Sequence, residues 1–527
     1  MNQNKSDHAT ETGSFIDKIR PSINKDGKYG VSASDPLAVQ VGIDILENGG
    51  NAVDAAIAVS YALTVVEPFS SGIGGGGNML IHTGDGDGVV SYQYKETAPL
   101  SGRIPRNEMG TPGFVKGMEK VHEDYGTMPL EDLIDPSIRL AREGFKVNKY
   151  LSERLSSASY RLSTNRLPHF YPNGRPIKAG KVLKQEALAD TLEAIQKEGS
   201  KAFYEGKIAE ELVDHVGTIK MKDLQSYSVV VSDAVKGTFA GYDVYSSPPP
   251  LSGATLIQAL SMAESFEWLL KDDQMREADY VHIIGEVLKS TYQDRQRNIA
   301  DPKFYQSPLE TMLSETYIKG LAQEIDLDEI SIISNIYDSP AEKKDYDNTT
   351  HFVVIDNDGM VVSTTNTLSN FFGSGDYING FFLNNSMANF STREASPNVV
   401  EGGKRARSFT SPTILVNEEE VIGIGSPGGK RIPSVLTEVL VKNILLGMDM
   451  QEAIDSPRFY IEEDDIYMEE GFPEETRKRL EDRGYYINIR NSPSYFGGVQ
   501  ALGINKEKQI IFGGSDSRRN GTWDTGR

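Results

Sequence analysis

The sequence predicts an α+β fold, because clear strand patterns and long helical patterns both occur along the chain. Residues 352–355 and 360–365 are rich in β-branched side chains and flank the turn sequence Asn357-Asp358-Gly359, which predicts a β-hairpin. Residues 52–65 carry alanine on several sides, a pattern typical of a helix that is buried on more than one face. Residues 112–197 show mostly helical apolar spacing.

Further elements are predicted around these segments. Asp35-Pro36 is a helix cap followed by proline in the first turn, and it predicts a helix that ends at Leu46. Residues 79–82 and 89–94 predict paired strands, residues 324–348 a surface linker, and the polar residues 1–28 a flexible arm. The remaining predictions are strands at 229–231, 242–245, 380–383 and 421–425, and helices at 254–264, 278–295 and from about Ser434.

Composition excludes several classes of function. The 527-residue chain has a net charge of −22, which argues against general nucleic-acid binding and against an anionic membrane surface. It has no cysteine, which excludes disulfides, thiolate metal sites and a thiol nucleophile. Its seven histidines form no H-x-x-x-H pair, so neither a metal nor another cofactor is predicted. The longest apolar run, residues 55–66, is too short to span a bilayer, and the first thirty residues lack the apolar core of a signal peptide.

The paired threonines Thr349-Thr350 lie where the predicted hairpin begins, directly after the acidic linker. A threonine hydroxyl is a poor nucleophile unless a base takes its proton. His351 is the nearest histidine, but it lies two residues along the strand. A more economical base is the α-amino group of a threonine released by chain cleavage, whose ordinary pKa is about 7.7–8.0. The alternative is a threonine-rich strand whose side chains only favour β geometry.

Two glycine-rich segments are candidates for binding a ligand through the backbone. Residues 71–78, SGIGGGGN, contain the letters of the dinucleotide-binding motif, but a helix is predicted before them and a strand after them, the reverse of what that motif requires. They are therefore predicted to form either a flexible turn or a backbone-lined pocket wall. Consecutive N–H groups at Gly428-Gly429, beside a predicted helix start, can hold an oxyanion.

Positive charge is concentrated at Lys404, Arg405 and Arg407 in an otherwise acidic chain. This cluster is either a surface loop that balances nearby acids or an anion-binding entrance to a site. Lys95 follows a predicted strand and is either solvated or ligand-binding.

Taken in order, the motifs resemble those of the γ-glutamyltranspeptidase family of N-terminal-nucleophile hydrolases. The resemblance runs from about Tyr29 to Trp523 and rests on SGIGGGG at 71–77, TTHF at 349–352, TLSNFFGSG at 367–375, GSPGG at 425–429 and DSRRNG at 516–521. The segments NTLSNFFG, KRARSF, GIGSPGGKRIP and RRNGTW resemble in particular the branch that depolymerises and transfers the poly-γ-glutamate capsule of bacilli. The resemblance implies a four-layer αββα sandwich built jointly by a large subunit, residues 29–348, and a small subunit, residues 349–527.

The resemblance also implies a catalytic set. The chain is expected to cut itself between Asn348 and Thr349, and the freed amino group of Thr349 is expected to act as the base for its own hydroxyl. Thr367 matches the threonine that orients the nucleophile, and Gly428 and Gly429 match the oxyanion hole. The acyl-enzyme is then resolved by water or by an amine acceptor.

The expected substrate-binding positions depart from the glutathione-type members. Lys95 replaces the arginine that grips the substrate carboxylate, and it keeps the charge without the bidentate fork. Asn389 replaces the aspartate that binds the glutamyl α-amino group, and Ser408-Phe409 replaces a serine pair. Arg407 and Arg431 are predicted to contact substrate carboxylates. The full predicted set is Lys95, Asn389, Arg407, Ser408, Arg431 and Arg519.

The predicted function is that of a self-processing γ-glutamyl hydrolase and transpeptidase, acting on poly-γ-glutamate. Its predicted partners are the γ-glutamyl polymer or peptide as substrate and an amine or water as acceptor. The two fragments of one chain are predicted to pair as a heterodimer. By resemblance, the protein is expected at the cell surface or outside the cell. The alternatives are a glutathione or small-peptide γ-glutamyltranspeptidase and a processed surface protein without catalysis. Intact Thr349 and Thr367 speak against the last.

Overall fold

The computed structural model describes residues 27–84, 86, 88–333, 337–344 and 348–526. Within these residues the strands are β1 Tyr29–Ala33, β2 Gly76–His82, β3 Val90–Gln93, β4 Phe145–Lys146, β5 Val182–Leu183, β6 Val230–Asp233, β7 Val235–Phe239, β8 Tyr242–Ser246, β9 Asn348–Ile355, β10 Val361–Ser369, β11 Tyr377–Ile378, β12 Phe381–Phe382, β13 Thr413–Val416, β14 Glu420–Gly425, β15 Phe459–Glu462, β16 Asp465–Met468, β17 Tyr486–Ile489, β18 Gln500–Asn505, β19 Ile510–Ser515 and β20 Thr522–Gly526.

The same residues form eighteen α-helices. Their bounds are α1 Pro36–Glu47, α2 Ala52–Val66, α3 Phe114–Tyr125, α4 Leu130–Glu143, α5 Lys149–Ala158, α6 Glu186–Glu198, α7 Lys201–Tyr204, α8 Lys207–Val216, α9 Met221–Gln225, α10 Gly253–Glu264, α11 Glu267–Leu270, α12 Glu277–Asn298, α13 Leu309–Met312, α14 Glu315–Gln323, α15 Pro340–Lys344, α16 Ile432–Leu440, α17 Met450–Asp455 and α18 Glu474–Arg483.

Two antiparallel sheets form the centre of the molecule. Seven strands have the order β20-β1-β9-β10-β2-β3-β6, and six have the order β19-β18-β14-β13-β8-β7. The sheets face each other across an apolar layer that includes Val353, Val361 and Ile414. Helices α1, α2 and α3 cover the outer face of the first sheet, and α10 and α16 cover that of the second. The predicted four-layer αββα sandwich is confirmed.

Capping explains where the first two helices begin. Asp35 accepts a hydrogen bond from the Leu37 N–H at 2.9 Å and precedes Pro36 in the first turn of α1. Asn51 and Asp54 form a reciprocal capping box at the start of α2. All fifteen residues of α2 are buried, which confirms the prediction from its alanine pattern.

The central hairpin is longer than the predicted one and pairs β9 with β10. At its turn, the Asp356 carboxylate accepts hydrogen bonds from the N–H groups of Asp358 and Met360, both at 3.0 Å, and Gly359 adopts a φ of +82°. At the open end, the register shifts between Thr367 and Ser369. This β-bulge directs the side chains at the end of β10 toward the start of β9.

The linker prediction is wrong for residues 337–342, because Tyr337, Asp338, Ser339, Ala341 and Glu342 are buried. Helix α15 begins in this segment, and the carboxylates of Asp338 and Glu342 pair with buried arginines. Residues 334–336, 345–347 and most of the predicted N-terminal arm lie outside the described residues.

The glycine-rich segment is neither a flexible turn nor a wall of the cavity described below. A Cβ atom on Gly75 would lie 2.3 Å from the Thr367 carbonyl oxygen, and one on Gly74 would lie 2.2 Å from the Phe382 carbonyl oxygen. The glycines therefore allow the chain to pack closely against the end of β10 and against β12.

Candidate active site

The open end of the hairpin brings two threonine hydroxyls together. The register pairs Thr349 with Thr367, and their Oγ1 atoms lie 3.2 Å apart. The Thr367 hydroxyl donates to the Asn348 carbonyl oxygen at 2.8 Å and accepts from the Ser369 N–H at 2.9 Å. Thr367 therefore lies between the Thr349 hydroxyl and the carbonyl group of the peptide bond that precedes Thr349.

Both threonines line a small cavity between the two sheets. Its volume is about 30 Å³ in the uncut chain, which is the scale of a water molecule and not of a glutamyl group. The lining residues are Ala341, Glu342, Thr349, Thr367, Ser369, Asn389, Ser408, Phe409, Thr410, Gly429, Lys430 and Ile432.

The glycine pair enters this site from the second sheet. Strand β14 ends at Gly425, and the backbone then turns through Gly428, with a φ of +143°, and Gly429, with a φ of +55°. Both angles favour glycine. Gly429 lines the cavity and begins the 3₁₀ turn Gly429–Arg431 that leads into α16. The turn thus places Gly429 in the lining of the cavity that Thr349 and Thr367 also line.

Asn389 and Ser408 supply neutral polar groups to the same cavity. Asn389 ends the 3₁₀ turn Ser386–Asn389, and its Nδ2 donates to the Ser386 carbonyl oxygen at 3.1 Å and to the Ser369 hydroxyl at 3.4 Å. The Ser408 hydroxyl accepts from the Thr410 N–H at 3.4 Å.

The basic cluster is buried in the described structure and is neither a surface loop nor an open entrance. The Arg407 guanidinium lies 2.5 Å from the Asp338 carboxylate and 3.5 Å from that of Glu342, and Glu342 is also 2.8 Å from Arg295. Burial alone would raise the pKa of Glu342, but the charges of Arg407 and Arg295 outweigh it and lower that pKa to about 2. Glu342 is therefore ionised and fully paired where it meets the cavity.

Three other predicted binding residues are buried behind the lining. Lys95 pairs with Glu96 at 3.1 Å. Arg431 donates from Nε to the Tyr495 carbonyl oxygen at 2.6 Å, and the Arg519 Nε donates to the Ser494 carbonyl oxygen at 3.0 Å. The cavity thus brings together Thr349, Thr367, Asn389, Ser408 and Gly429, whereas Lys95, Arg407, Gly428, Arg431 and Arg519 lie outside its lining.

Sequence reasoning missed Ser369, Glu342 and Lys430 as lining residues. Ser369 reaches the cavity only because of the bulge in β10, which no sequence pattern announces. Glu342 lies in a segment whose composition is that of a linker. Lys430 follows the glycine pair, which is a usable signal, and it pairs with Glu462 at 2.8 Å.

His351 is not placed to act as the base for Thr349. Burial lowers the pKa of His351 to about 3, so the imidazole is neutral, and its Nδ1 lies 2.8 Å from the Thr365 hydroxyl. Among the described residues, no three histidine or carboxylate side chains are grouped so that they could hold a metal ion, and none of the helices has the length and apolar character needed to cross a membrane.

Comparison with known proteins agrees with this geometry. The family model described as gamma-glutamyltranspeptidase matches residues 38–525. The Capsule biosynthesis protein CapD proenzyme of Bacillus anthracis is 44% identical over 506 residues, which cover 96% of this chain and 92% of that protein. The Glutathione hydrolase proenzyme of Bacillus subtilis strain 168 is 35% identical over 553 residues, with coverage of 96% and 93%. The crystal structure of cephalosporin acylase from Bacillus halodurans superposes with a TM-score of 0.87 at 26% identity, covering 100% of this chain and 99% of that one.

Proposed function

This chain belongs to the γ-glutamyltranspeptidase family, and from that premise we propose that it cuts itself before Thr349 and then cleaves or transfers γ-glutamyl amide bonds of poly-γ-glutamate. One observation carries the proposal. The Thr349 hydroxyl, the Thr367 hydroxyl and the Asn348 carbonyl oxygen form a continuous hydrogen-bonded path beside a cavity.

Self-cleavage follows from that path. The Thr349 Oγ1 attacks the Asn348 carbonyl carbon, while its proton passes to the Thr367 hydroxyl and the Thr367 proton passes to the carbonyl oxygen. The ester carbonyl then re-forms as the C–N bond breaks, the proton on its oxygen passes to the Thr349 nitrogen, and an ester joins Asn348 to Thr349. Water hydrolyses the ester to a carboxylate on Asn348 and a free hydroxyl on Thr349. The freed α-amino group has an ordinary pKa of about 7.7–8.0 and can act as a base near neutral pH.

Turnover uses the same atoms with an external substrate. The α-amino group takes the proton of the Thr349 hydroxyl, and the oxygen attacks the carbonyl carbon of a γ-glutamyl amide. Backbone N–H groups of Gly428 and Gly429 stabilise the oxyanion, and the leaving amine takes the proton from the Thr349 ammonium. Water or an amine acceptor then resolves the acyl-enzyme by the reverse steps. Removal of one oxyanion donor typically lowers kcat by about 10²–10³-fold.

The substrate class is argued from Asn389. A free γ-glutamyl group carries an α-ammonium, which a carboxylate would bind by a charge-assisted hydrogen bond, whereas Asn389 offers only an amide dipole. Losing such a bond costs about 1.5–3 kcal/mol, or roughly ten- to a hundred-fold in affinity. Inside a polymer the same nitrogen is an uncharged amide, for which Asn389 is a suitable partner.

Positive side chains that are buried in the uncut chain complete the substrate proposal. We propose that the carboxylates of neighbouring glutamyl units are bound by Lys95, Arg407 and Arg431, with Ser408 and Arg519 as further contacts. A chain of net charge −22 needs such local positive charge to attract an anionic polymer. Added salt is then expected to weaken the binding of long substrates more than that of short ones.

The two fragments are proposed to stay together as one unit, with residues 29–348 as the large subunit and 349–527 as the small one. The strand order supports this, because β1 lies between β20 and β9, so the first sheet interleaves strands from both sides of the cleavage site.

We also propose a location at the cell surface, since the 44%-identical relative is named a capsule biosynthesis protein. Protease treatment of intact cells tests this location, because a protein at the cell surface is expected to be cut and to release fragments. Complete protection of the protein from the protease would contradict the proposed location.

The test of substrate class compares two substrates on two proteins. The unmodified enzyme is expected to have a higher kcat/KM for poly-γ-glutamate than for glutathione, and Asn389→Asp is expected to shift the preference toward glutathione. Thr410→Val is the matched control, because it changes a neutral group that lines the same cavity without adding charge. Equal or better glutathione turnover by the unmodified enzyme contradicts the polymer assignment.

One observation favours a second candidate function. The chain is also 35% identical to a Glutathione hydrolase proenzyme. A small-peptide γ-glutamyltranspeptidase would use the same Thr349 chemistry, and the substrate comparison above separates the two.

A further inference from the structure

A second hydroxyl chain lies on the opposite side of β9 from the cavity. Thr350 is adjacent to Thr349 but projects to the other face of the strand, because side chains alternate along β structure. Its Oγ1 lies 2.8 Å from the Ser34 hydroxyl, and the Ser34 hydroxyl lies 2.7 Å from the Glu67 carboxylate. All three side chains are buried.

The segment that carries Glu67 also holds the other strand of the site. Glu67 is the C-cap residue of α2, and its carbonyl oxygen accepts from the Ser70 N–H at 2.9 Å. The Ser70 carbonyl oxygen in turn accepts from the Leu368 N–H at 3.0 Å, one residue beyond Thr367. The Glu67 segment thus contacts β9 through a side chain and β10 through the backbone.

We propose that Glu67 is a positioning residue for the nucleophile: through Ser34 and Thr350, its carboxyl fixes the Thr349 end of β9 against the Thr367 end of β10. The proposal rests on the proposed function only in taking Thr349 as the nucleophile. It concerns the face of β9 that the cavity does not touch. The energetic reason is proximity, because a displacement of about 1 Å at the reacting groups can cost about 10²-fold in rate.

The strength of this hydroxyl chain depends on the ionisation of Glu67. When Glu67 is ionised, Thr350 can donate to Ser34 and Ser34 donates to the carboxylate, which is the stronger, charge-assisted arrangement. When Glu67 is protonated, the hydrogen bond between its carboxyl group and Ser34 is neutral and weaker in either direction. The ionisation of Glu67 therefore decides how tightly the end of β9 is held.

Two charged groups face Glu67 and set where it ionises. Burial is the main cause that raises the pKa of Glu67, and the Asp35 carboxylate at the start of α1 also raises it. The Ser34 and Thr350 hydroxyls and the Arg519 guanidinium oppose the increase, and the resulting pKa is about 7. The ionised and protonated forms of Glu67 are consequently both populated near neutral pH.

The first experiment removes and restores the Thr350 hydroxyl. Thr350→Val keeps the shape of the side chain and is expected to lower kcat about 10- to 100-fold with KM within two-fold, whereas Thr350→Ser keeps the hydroxyl and is expected to stay within three-fold of the parent. Thr364→Val is the matched control, because Thr364 is buried on β10 and its hydroxyl has no hydrogen-bond partner in the described structure. Unchanged kcat in Thr350→Val, or equal loss in Thr350→Ser, overturns the proposal.

The second experiment uses self-cleavage, because the uncut chain has no free α-amino group at Thr349. Precursor made by cell-free synthesis is shifted to buffers from pH 5.5 to 8.5, and the cleavage rate is followed by gel. The parent rate is expected to rise with a midpoint near pH 7, and Glu67→Gln, which cannot ionise, is expected to lose that rise. Superimposable profiles overturn the proposal even if Thr350→Val fails to fold. Cleavage at another peptide bond would instead contradict the proposed function.

Discussion

The two walls of the cavity differ in how they are built. The hairpin wall, Thr349, Thr367 and Ser369, is neutral, and its hydrogen bonds join residues that are close in sequence through one antiparallel ladder. The ion-pair wall meets the cavity only through Glu342. Glu342 and Asp338 pair with Arg295 and Arg407 from separate segments of the chain, and these charges neutralise one another in the uncut protein.

Because of this difference, substitutions in the two walls are expected to affect different properties of the protein. A neutral buried hydrogen bond contributes only about 0.5–1.5 kcal/mol net, so a hydroxyl can be removed without unfolding the protein. Breaking a buried ion pair leaves an uncompensated charge and costs about 3–5 kcal/mol. The hairpin wall is therefore expected to govern rate, and the ion-pair wall to govern the free energy of unfolding of the uncut chain.

The largest expected effect is from Thr349→Ala. The substitution removes the attacking oxygen for both self-cleavage and turnover, so the protein is expected to remain one uncut chain without detectable γ-glutamyl transfer. Gel electrophoresis and a γ-glutamyl amide assay measure the two outcomes. A cut chain in this variant would show that another residue supplies the nucleophile.

Thr367→Val tests the other half of the hairpin wall. Because the Thr367 hydroxyl contacts both the nucleophile and the Asn348 carbonyl oxygen, its loss is expected to slow self-cleavage about 10²-fold or more. The melting temperature is expected to change by no more than it does in Thr364→Val, which removes a buried hydroxyl from the same strand. A large drop in melting temperature with normal cleavage would show that the hairpin wall governs stability and not rate, which contradicts the account.

Arg407→Met, made in the uncut Thr349→Ala chain, tests the ion-pair wall. The free energy of unfolding is expected to fall by about 3–5 kcal/mol, because Asp338 loses the partner at 2.5 Å while Glu342 keeps only Arg295. Arg405→Met is the control, since the buried Arg405 guanidinium donates to the Ser228 carbonyl oxygen, and a smaller loss is expected. Equal losses of unfolding free energy in the two variants would show that the Arg407 ion pair stabilises the protein no more than the Arg405 hydrogen bond does.

The smallest effect concerns pH. The folded-state pKa of Glu67, about 7, is above the ordinary value of 4.5, so the folded state favours the protonated form, and this stabilisation is lost as pH rises from about 4.5 to 7. The glutamine side chain in the Glu67→Gln variant does not titrate. Relative to this variant, the melting temperature of the parent is expected to fall by about 2–5 °C between pH 5 and pH 8. A constant difference over that range contradicts the assignment of a buried, titrating carboxyl.

Sequence patterns predicted the hairpin itself because its signals are local. The Asn357-Asp358-Gly359 turn, the β-branched runs and the threonine pair identify the ladder, and capping residues identify α1 and α2. The ion-pair wall was not predictable in this way. Asp338 and Glu342 have the composition of a linker, and their burial depends on arginines that only tertiary packing brings near.

The site itself was only partly predictable. Thr349, Thr367, Asn389, Ser408 and Gly429 do line one cavity, but Ser369 lies at a bulge in which the Leu368 N–H donates to the Ser70 carbonyl oxygen, a contact between distant segments. Lys95 was expected at the substrate, and its salt bridge with Glu96 could not be inferred from a charged residue at a strand end. Its role in binding stays a prediction.

N-terminal sequencing of the smaller fragment tests the central claim most directly, because every proposed step of turnover depends on a free amino group at Thr349. The purified protein is allowed to mature, its fragments are separated under denaturing conditions, and the smaller one is sequenced. The expected result is Thr-Thr-His-Phe, beginning at Thr349. A fragment that begins at any other residue, or a fully active protein that is never cut, would contradict the account.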